Sequence, residues 1–202
     1  GISVGLGSRV SSTQTDFDQG AFQQSANQLD IAIEGDGFFT VIDSNGDPLY
    51  TRAGNFGINA DRQLVVGSAN NGWILDPAVD IPQNATAISI APTGEVQVQI
   101  TGTPELQTLT TIQLATFINP DGLEKMGDNV YRETSASGPA TVTNPGTDGT
   151  GILRQGALEA SNVEPVQELI DLITTQRAFE LNSQVVQAGD QIMQLISNLR
   201  RG

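Results

Sequence analysis

The feature that most constrains the fold of this chain is its C-terminal stretch, PVQELIDLITTQRAFELNSQVVQAGDQIMQLISNL, which runs from Pro165 to Leu199. Apolar residues recur there at intervals of three and four, which is the periodicity of an amphipathic helix. Asn162 is a suitable N-cap, and Glu164 and Pro165 suit the first turn. We therefore predict one long helix over residues 163–199, about 55 Å in length at about 1.5 Å per residue.

One face of the predicted helix carries an apolar stripe that needs a covering partner. From Leu181 onward the spacings are 4, 3, 4, 3 and 4, which form a heptad seam, and Arg177 joins the two halves through a stutter. Arg177 is also a candidate donor of an ion pair to another subunit, the alternative being that it is solvated. Burial of six seam residues would contribute on the order of 10 kcal/mol. We predict that this set, the first stripe, is an assembly interface: Val166, Ile170, Ile173, Arg177, Leu181, Val185, Ala188, Ile192, Leu195 and Leu199.

Three kinds of partner could cover the first stripe. No other segment of the chain has a matching heptad pattern, so we expect the cover to come from residues preceding Gly1 or from another copy. A helix lying on a membrane would carry basic residues on its polar face, whereas residues 163–199 contain one basic and five acidic side chains. A helix that folds back on the rest of its own chain is the third alternative.

Composition excludes several classes of function. The chain has no cysteine and no histidine, which excludes Cys/His zinc sites, cysteine nucleophiles and Ser-His-Asp triads. The net charge of −14, with Lys125 as the single lysine, disfavours nucleic acid and anionic membranes as partners. No apolar run approaches the ~20 residues of a membrane-spanning helix. The DSNGD stretch at 43–47 starts like a calcium loop, but Pro48 and Gly54 occupy the positions that need Gly and Glu. We predict no enzyme, no cofactor and no metal.

Residues 29–155 have the pattern of a β-rich domain. Alternating apolar residues flank Asp36-Gly37 and Thr93-Gly94, and each pair predicts a hairpin, while residues 43–48 predict a further turn. The segment LTTIQLATFI, residues 109–118, predicts one strand with Ile112, Leu114 and Ile118 on one face. Residues 134–151 have the composition of a loop. The predicted fold class is mainly β, with short antiparallel strands in 29–155, an extended arm in 1–28 and one long C-terminal helix of coiled-coil type in 156–202.

Four blocks of the sequence resemble one family, the rod and hook axial proteins of the bacterial flagellum. The blocks are LDIAIEGDGFFTV (29–41), YTRAGNFGINADRQLV (50–65), FINPDGLEKMGDNVYRETSASG (117–138) and GALEASNVEPVQELIDLITTQRAFELNSQVVQAGDQIMQ (156–194). The last block is the most specific. The N-terminal residues 1–30 and the short middle domain are most similar to the distal rod members of the family, with the proximal rod members next.

The resemblance implies a structural, non-enzymatic subunit that self-assembles into a hollow axial filament and transmits torque from motor to hook. In the family, an N-terminal helix pairs with the C-terminal one, and a β domain lies outside the tube. We expect that helix to precede Gly1. The implied partners are further copies in a helical homo-oligomer, other rod and hook axial proteins and the flagellar export apparatus. The implied location is the periplasm-spanning rod of the basal body, with no cofactor and no membrane insertion.

Other interpretations of the sequence remain. The chain could be a proximal rod or hook-type axial protein of the same family. It could instead be a carbohydrate-binding β domain with an internally docked helix, which predicts a pocket lined by Trp73 or Tyr50. A phage-tail or adhesin-like structural module would share the logic of assembly.

Overall fold

The computed structural model describes residues 15–68, 72–102 and 105–199, and the chain divides into two compact units, 1–161 and 162–202. The first unit holds the strands, and the second holds one helix, α1 (Pro165–Leu199). These elements confirm the predicted fold class, which is mainly β with short antiparallel strands and one long C-terminal helix. Residues 1–14 of the predicted arm lie outside the described residues.

Sixteen short strands are found within the described ranges of the first unit. They are β1 (Phe22–Gln24), β2 (Ile31–Glu34), β3 (Phe38–Ile42), β4 (Pro48–Thr51), β5 (Phe56–Ile58), β6 (Leu64–Val66), β7 (Trp73–Asp76), β8 (Ala85–Ile90), β9 (Glu95–Ile100), β10 (Leu106–Thr111), β11 (Leu114–Thr116), β12 (Glu124–Gly127), β13 (Val130–Arg132), β14 (Thr141–Thr143), β15 (Ile152–Gln155) and β16 (Ala157–Glu159). Glycines and polar turns separate them, which keeps each strand short.

The strands form four antiparallel sheets. The largest has nine strands in the order β12-β13-β4-β3-β7-β6-β5, with β11 paired to β3 and β14 paired to β11. The meander β8-β9-β10 forms a second sheet, and β1-β16 and β2-β15 form two-stranded sheets. A 3-10 turn, Pro120–Gly122, precedes β12.

Strand β3 is buried on both faces and therefore separates two apolar clusters. Phe39 and Val41 belong to the main core, where the rings of Phe39 and Phe56 meet edge to face at 5.0 Å. Phe38 lies on the other face, in a second cluster with Tyr50, Ala115 and Tyr131. The period-two alternation of a strand sends Phe38 and Phe39 into these different clusters.

The predicted turn at 43–48 and the predicted hairpin at Thr93-Gly94 are both confirmed. The turn at 43–48 joins β3 to β4, with Ile42 opposite Pro48. The turn at Thr93-Gly94 joins β8 to β9, with Ile90 opposite Val96. In both cases a tight polar turn lies between two runs of alternating apolar residues, which is sufficient local information for a hairpin.

The predicted hairpin at Asp36-Gly37 is wrong. Strand β2 pairs with β15, Ile31 lying opposite Gln155, whereas β3 pairs with β4, β7 and β11. Between them, Gly35 and Gly37 have φ values of 112° and 142°, which side chains other than glycine rarely adopt. These two glycines lead the chain from one sheet into another. Alternation shows that a strand has a buried face, but it does not identify the neighbouring strand.

The predicted single strand over 109–118 is also wrong. Strand β10 ends at Thr111 and β11 begins at Leu114, in different sheets. Between them the Ile112 N–H donates to the carbonyl of Gly94 at 2.8 Å. Ile112 and Leu114 are buried, but Ile118 lies beyond β11 and is 88% exposed. The predicted loop 134–151 contains β14, which pairs with β11.

Strands also lie next to the predicted domain boundaries. Residues 22–24 of the predicted arm form β1, which pairs with β16 so that Phe22 lies opposite Glu159. Strand β16 in turn occupies residues 157–159, near the start of the segment predicted as helical. The arm gains a further contact from Phe17, whose ring meets Phe38 edge to face at 5.4 Å. Such pairing between distant segments has no local signature in the sequence.

Candidate assembly interface

The helix α1 begins at Pro165. Proline suits the first turn because the N–H groups there have no acceptor within the helix and because its fixed φ is close to the helical value. The N–H of Glu168 donates to the carbonyl of Glu164 at 3.1 Å, so Glu164 is the capping residue. The expected N-cap, Asn162, therefore lies two residues too early. Local signals gave the start of α1 to within two residues, which is the usual uncertainty at a helix end.

The first stripe lies along one side of α1, as the periodicity predicts. Each member whose side chain the structure describes is exposed in the single chain, including Leu181 and Val185 at its centre. From Val166 to Leu195 the stripe extends about 44 Å along the helix axis, at about 1.5 Å per residue. The side chain of Leu199 lies outside the described residues. A continuous apolar stripe of this length is typical of an association surface.

Arg177 is the one charged member of the first stripe. It is exposed, and it forms no ion pair with the carboxylates of the described residues, where Arg52 and Glu159 do form one. Its guanidinium is therefore available to a carboxylate or carbonyl of another molecule. Its predicted role as an ion-pair donor between subunits stays a prediction.

The structure shows a second set of exposed apolar side chains on α1 that the sequence analysis missed. Four of them recur at intervals of seven residues, a signal that a search for one stripe per helix overlooks. We call this set the second stripe: Leu169, Leu172, Phe179, Val186, Met193 and Ile196. A helix that is apolar on several sides is normally buried on several sides.

The end of the β unit that precedes α1 is held by Arg52. Its guanidinium binds the Glu159 carboxylate at 3.0 Å and donates to the carbonyls of Gly35 and Gly37 at 3.2 and 3.1 Å. The same carboxylate accepts the N–H of Gly20 at 3.1 Å. This cluster ties β16, the last strand of the first unit, to the turn around Gly35 and Gly37.

Trp73 and Tyr50, the two residues named for the saccharide-binding alternative, differ in their surroundings. Trp73 lines an open surface groove with Val66 and Asn129, among others. Tyr50 is buried, and its hydroxyl donates to Glu133 at 3.4 Å, so it lines no such groove. Burial, and then the neighbouring Glu133 carboxylate, raise the pKa of Tyr50 to about 12.

The described residues offer neither a metal site nor a membrane-spanning helix. Over residues 15–68, 72–102 and 105–199, no group of acidic side chains is placed to hold a metal ion. No described helix is both long and apolar enough to cross a membrane. The exposed stripes of α1 are therefore the best candidate functional surface.

Comparison with known families places the chain in one class of assembly protein. Residues 32–98 match the profile of the flagellar hook protein FlgE/F/G D1 domain, and residues 154–199 match that of the flagellar basal body rod FlgEFG protein C-terminal region. The second match covers β16 and all of α1. The class defined by these matches is that of flagellar rod and hook subunits.

Individual relatives show which proteins of this class the chain is similar to. The flagellar basal-body rod protein FlgG of Caulobacter vibrioides is 45% identical over 99% of this chain and 75% of the relative. The FlgG proteins of Borreliella burgdorferi and Bacillus subtilis are both 38% identical, over 100% and 98% of this chain and 76% and 75% of the relatives. The chain therefore belongs to the flagellar basal-body rod protein family, with the distal rod proteins. It is a structural, non-enzymatic subunit located in the basal-body rod, and the saccharide-binding alternative is not favoured.

Proposed function

We propose that the first stripe of α1 is the interface through which this rod subunit assembles into a hollow axial filament. The observation that carries the proposal is the exposure of Leu181, Val185, Ile192 and Leu195 in the single chain. Each of these side chains gains about 1.5–3 kcal/mol when it is buried. A surface of this length would cause nonspecific association if it had no dedicated partner.

We infer that the cover consists of neighbouring copies and of a helix of the N-terminal kind that the family resemblance implies. The relatives are longer than this chain, which spans about three quarters of their length. The heptad spacing between Leu181 and Leu195 suits a partner helix that packs knobs into holes. Arg177, at the stutter, donates to an acidic group of a neighbouring subunit.

The other partners follow from the position of a rod subunit. Assembly with other rod and hook axial proteins is implied by the family, and we infer that the filament is a helical homo-oligomer along the part built from this chain. Export by the flagellar secretion apparatus and transmission of torque from motor to hook complete the proposed role. The two-unit division of the chain supports this role, because α1 can assemble while the β unit keeps its own core.

A pair of neighbouring substitutions tests the interface. Ile192→Asp places a charge in the first stripe, and Gln191→Asp places the same charge beside it, on the polar row between the two stripes. In sedimentation velocity over a concentration series, we expect Ile192→Asp to weaken self-association at least about tenfold, which corresponds to one buried side chain. Gln191→Asp should change it less than about twofold. Equal effects of the two substitutions would exclude the first stripe as the interface.

A further inference from the structure

A cavity on the β unit shares no residue with the two stripes of α1. It measures about 320 Å³, at the lower end of the range of about 300–1,000 Å³ that ligand sites occupy, so it suits a single side chain. Three phenyl rings, one guanidinium and two carboxylates contribute to its wall. We call it the phenyl cavity, and these six residues are Phe17, Phe38, Phe117, Arg52, Asp36 and Asp148.

The three rings of the phenyl cavity pack against one another at steep angles. Phe38 is buried, and the rings of Phe17 and Phe117 meet it edge to face with centroids 5.4 and 5.7 Å away. The interplanar angles are 78° and 72°, so the rings present their faces in different directions. The face of a phenyl ring carries negative electrostatic potential. A positively charged group in the cavity is therefore attracted by its walls.

Arg52 shows that these rings accept a cation. Its guanidinium carbon lies 5.9 Å from the centroid of the Phe38 ring, within the distance of about 6 Å that is typical of cation–π contacts. The Glu159 carboxylate, 3.0 Å away, balances the charge of Arg52. The pair therefore leaves little net positive charge to repel a second cation from the phenyl cavity.

The two carboxylates of the phenyl cavity are free to pair with an incoming group. Within the described residues, the side chains of Asp36 and Asp148 form neither a hydrogen bond nor an ion pair. Both residues are exposed. The carbonyl of Asp36 accepts the N–H of Gly151 at 2.7 Å, which holds the turn that contains Asp148 next to Asp36.

A second, more open cavity continues the negative charge. It measures about 520 Å³ and shares Phe17 and Asp36 with the phenyl cavity. It adds the carboxylates of Asp16, Asp18 and Asp121, and no basic side chain lines it. Carboxylates that line one cleft combine into a field that attracts cations.

We propose that the phenyl cavity binds an arginine side chain of another protein. A guanidinium stacks on aromatic faces and pairs with carboxylates through parallel hydrogen bonds, and the cavity offers both kinds of group. This chain has a net charge of −14, with nine basic against 23 acidic residues, so a second copy is repelled from the acidic surface whereas a basic segment is attracted. The inference goes beyond the proposed assembly through α1, and either can fail without the other.

Titration with short peptides, followed by nuclear magnetic resonance of the full chain, tests the phenyl cavity. The probe is acetyl-Gly-Arg-Gly-amide, and the control is the same peptide with citrulline, which has nearly the same shape without the charge. We expect saturable shifts of the Phe17, Gly37 and Gly149 amide signals, with a dissociation constant of about 1 mM or lower for the arginine peptide. The citrulline peptide should bind at least about tenfold more weakly. Equal affinities, or no saturable shifts up to about 10 mM, would overturn the proposal.

Matched substitutions locate the binding site. Asp36→Asn and Asp148→Asn should each weaken binding of the arginine peptide about fivefold to tenfold, because each removes one carboxylate. Asp61→Asn removes the same charge from an exposed residue that lines neither cavity, and should change the affinity less than about twofold. Phe117→Leu keeps the wall apolar and removes one ring face, so the affinity should fall about threefold. The amide spectrum of each free variant checks that the fold is retained.

Two further outcomes would also contradict the proposal. An equal loss of affinity in Asp61→Asn and Asp148→Asn would show that the peptide is attracted by net charge alone. Binding of the arginine peptide that appears only in an Arg9→Gln variant would assign the phenyl cavity to an arginine of this chain and not to another protein.

Discussion

Arg52 and Glu159 form an ion pair between two segments that are far apart in the sequence. The Nε and Nη2 atoms of Arg52 donate to the two carboxylate oxygens at 3.0 and 3.2 Å, and both side chains are largely buried, at 16% and 12% exposure. Arg52 follows β4, and Glu159 ends β16, the last strand before α1. The pair therefore connects β16 to the segment that follows β4, within the β unit.

Replacement of Arg52 tests that connection. Arg52→Met leaves the Glu159 carboxylate without its cation and removes the donors to the carbonyls of Gly35 and Gly37. We expect the free energy of unfolding of the β unit to fall by roughly 3 kcal/mol, measured by urea denaturation. The double variant Arg52→Met/Glu159→Leu should recover part of the loss, because no uncompensated charge remains. A single variant as stable as the wild type would contradict this assignment.

The pH dependence of stability should report on Tyr50. Its pKa is about 12 in the folded chain against an ordinary 10.0, because the phenol is buried beside Glu133. Above pH 10 the unfolded chain loses this proton while the folded chain keeps it, so the stability present below pH 10 is lost as the pH rises toward 12. Between pH 10 and pH 12, we expect the free energy of unfolding of Tyr50→Phe to fall by roughly 2–3 kcal/mol less than that of the wild type. Identical alkaline unfolding curves for Tyr50→Phe and wild type would contradict the shift.

Two buried threonines should respond to valine with opposite signs. The hydroxyl of Thr40 is buried with no hydrogen-bond partner, whereas that of Thr51 donates to Asn129 at 2.7 Å and accepts from Ala53 at 3.0 Å. Thr40→Val should raise the free energy of unfolding by about 1 kcal/mol. Thr51→Val should lower it by a similar or larger amount. Thermal unfolding followed by circular dichroism measures both. A loss of stability in Thr40→Val would show that its hydroxyl has a partner.

Two glycines in the same region should differ sharply in their tolerance of alanine. A Cβ on Gly54 would collide with the carbonyl of Ile31. The two backbones are close there because the N–H of Ile31 donates to the carbonyl of Gly54 at 2.9 Å. Gly54→Ala should cost roughly 3 kcal/mol, because backbone must move. Gly57→Ala, on β5, meets no atom within 4 Å and should be neutral or stabilising by up to about 1 kcal/mol. Similar unfolding midpoints for the two variants would refute the close approach.

Features with a local physical cause could be predicted from the sequence. The turn at 43–48 and the hairpin at Thr93-Gly94 were identified because their own residues favour tight turns. The long helix was identified because its periodicity and Pro165 act within a few residues of each other. The first stripe followed from the same periodicity, although its role in assembly remains a proposal. The second stripe was missed because a heptad search stops once one seam explains the helix.

Features that depend on distant partners could not be predicted. The hairpin at Asp36-Gly37 failed because β15, far along the chain, competes for the edge of β2. The pairing of β1 with β16 also has no local signature. The break between β10 and β11 lies where the Ile112 N–H donates to the carbonyl of Gly94, a residue of the distant turn between β8 and β9.

By itself, then, the amino-acid sequence determined a β-rich chain with a C-terminal helix that has an uncovered apolar face, because turn chemistry and helical periodicity act over short distances. The tertiary structure alone decided which strands pair, that Arg52 binds Glu159, and that Tyr50 is buried. These outcomes depend on hydrogen bonding and burial between segments separated by up to the length of the β unit. Such interactions are selected by the whole fold and not by neighbouring residues.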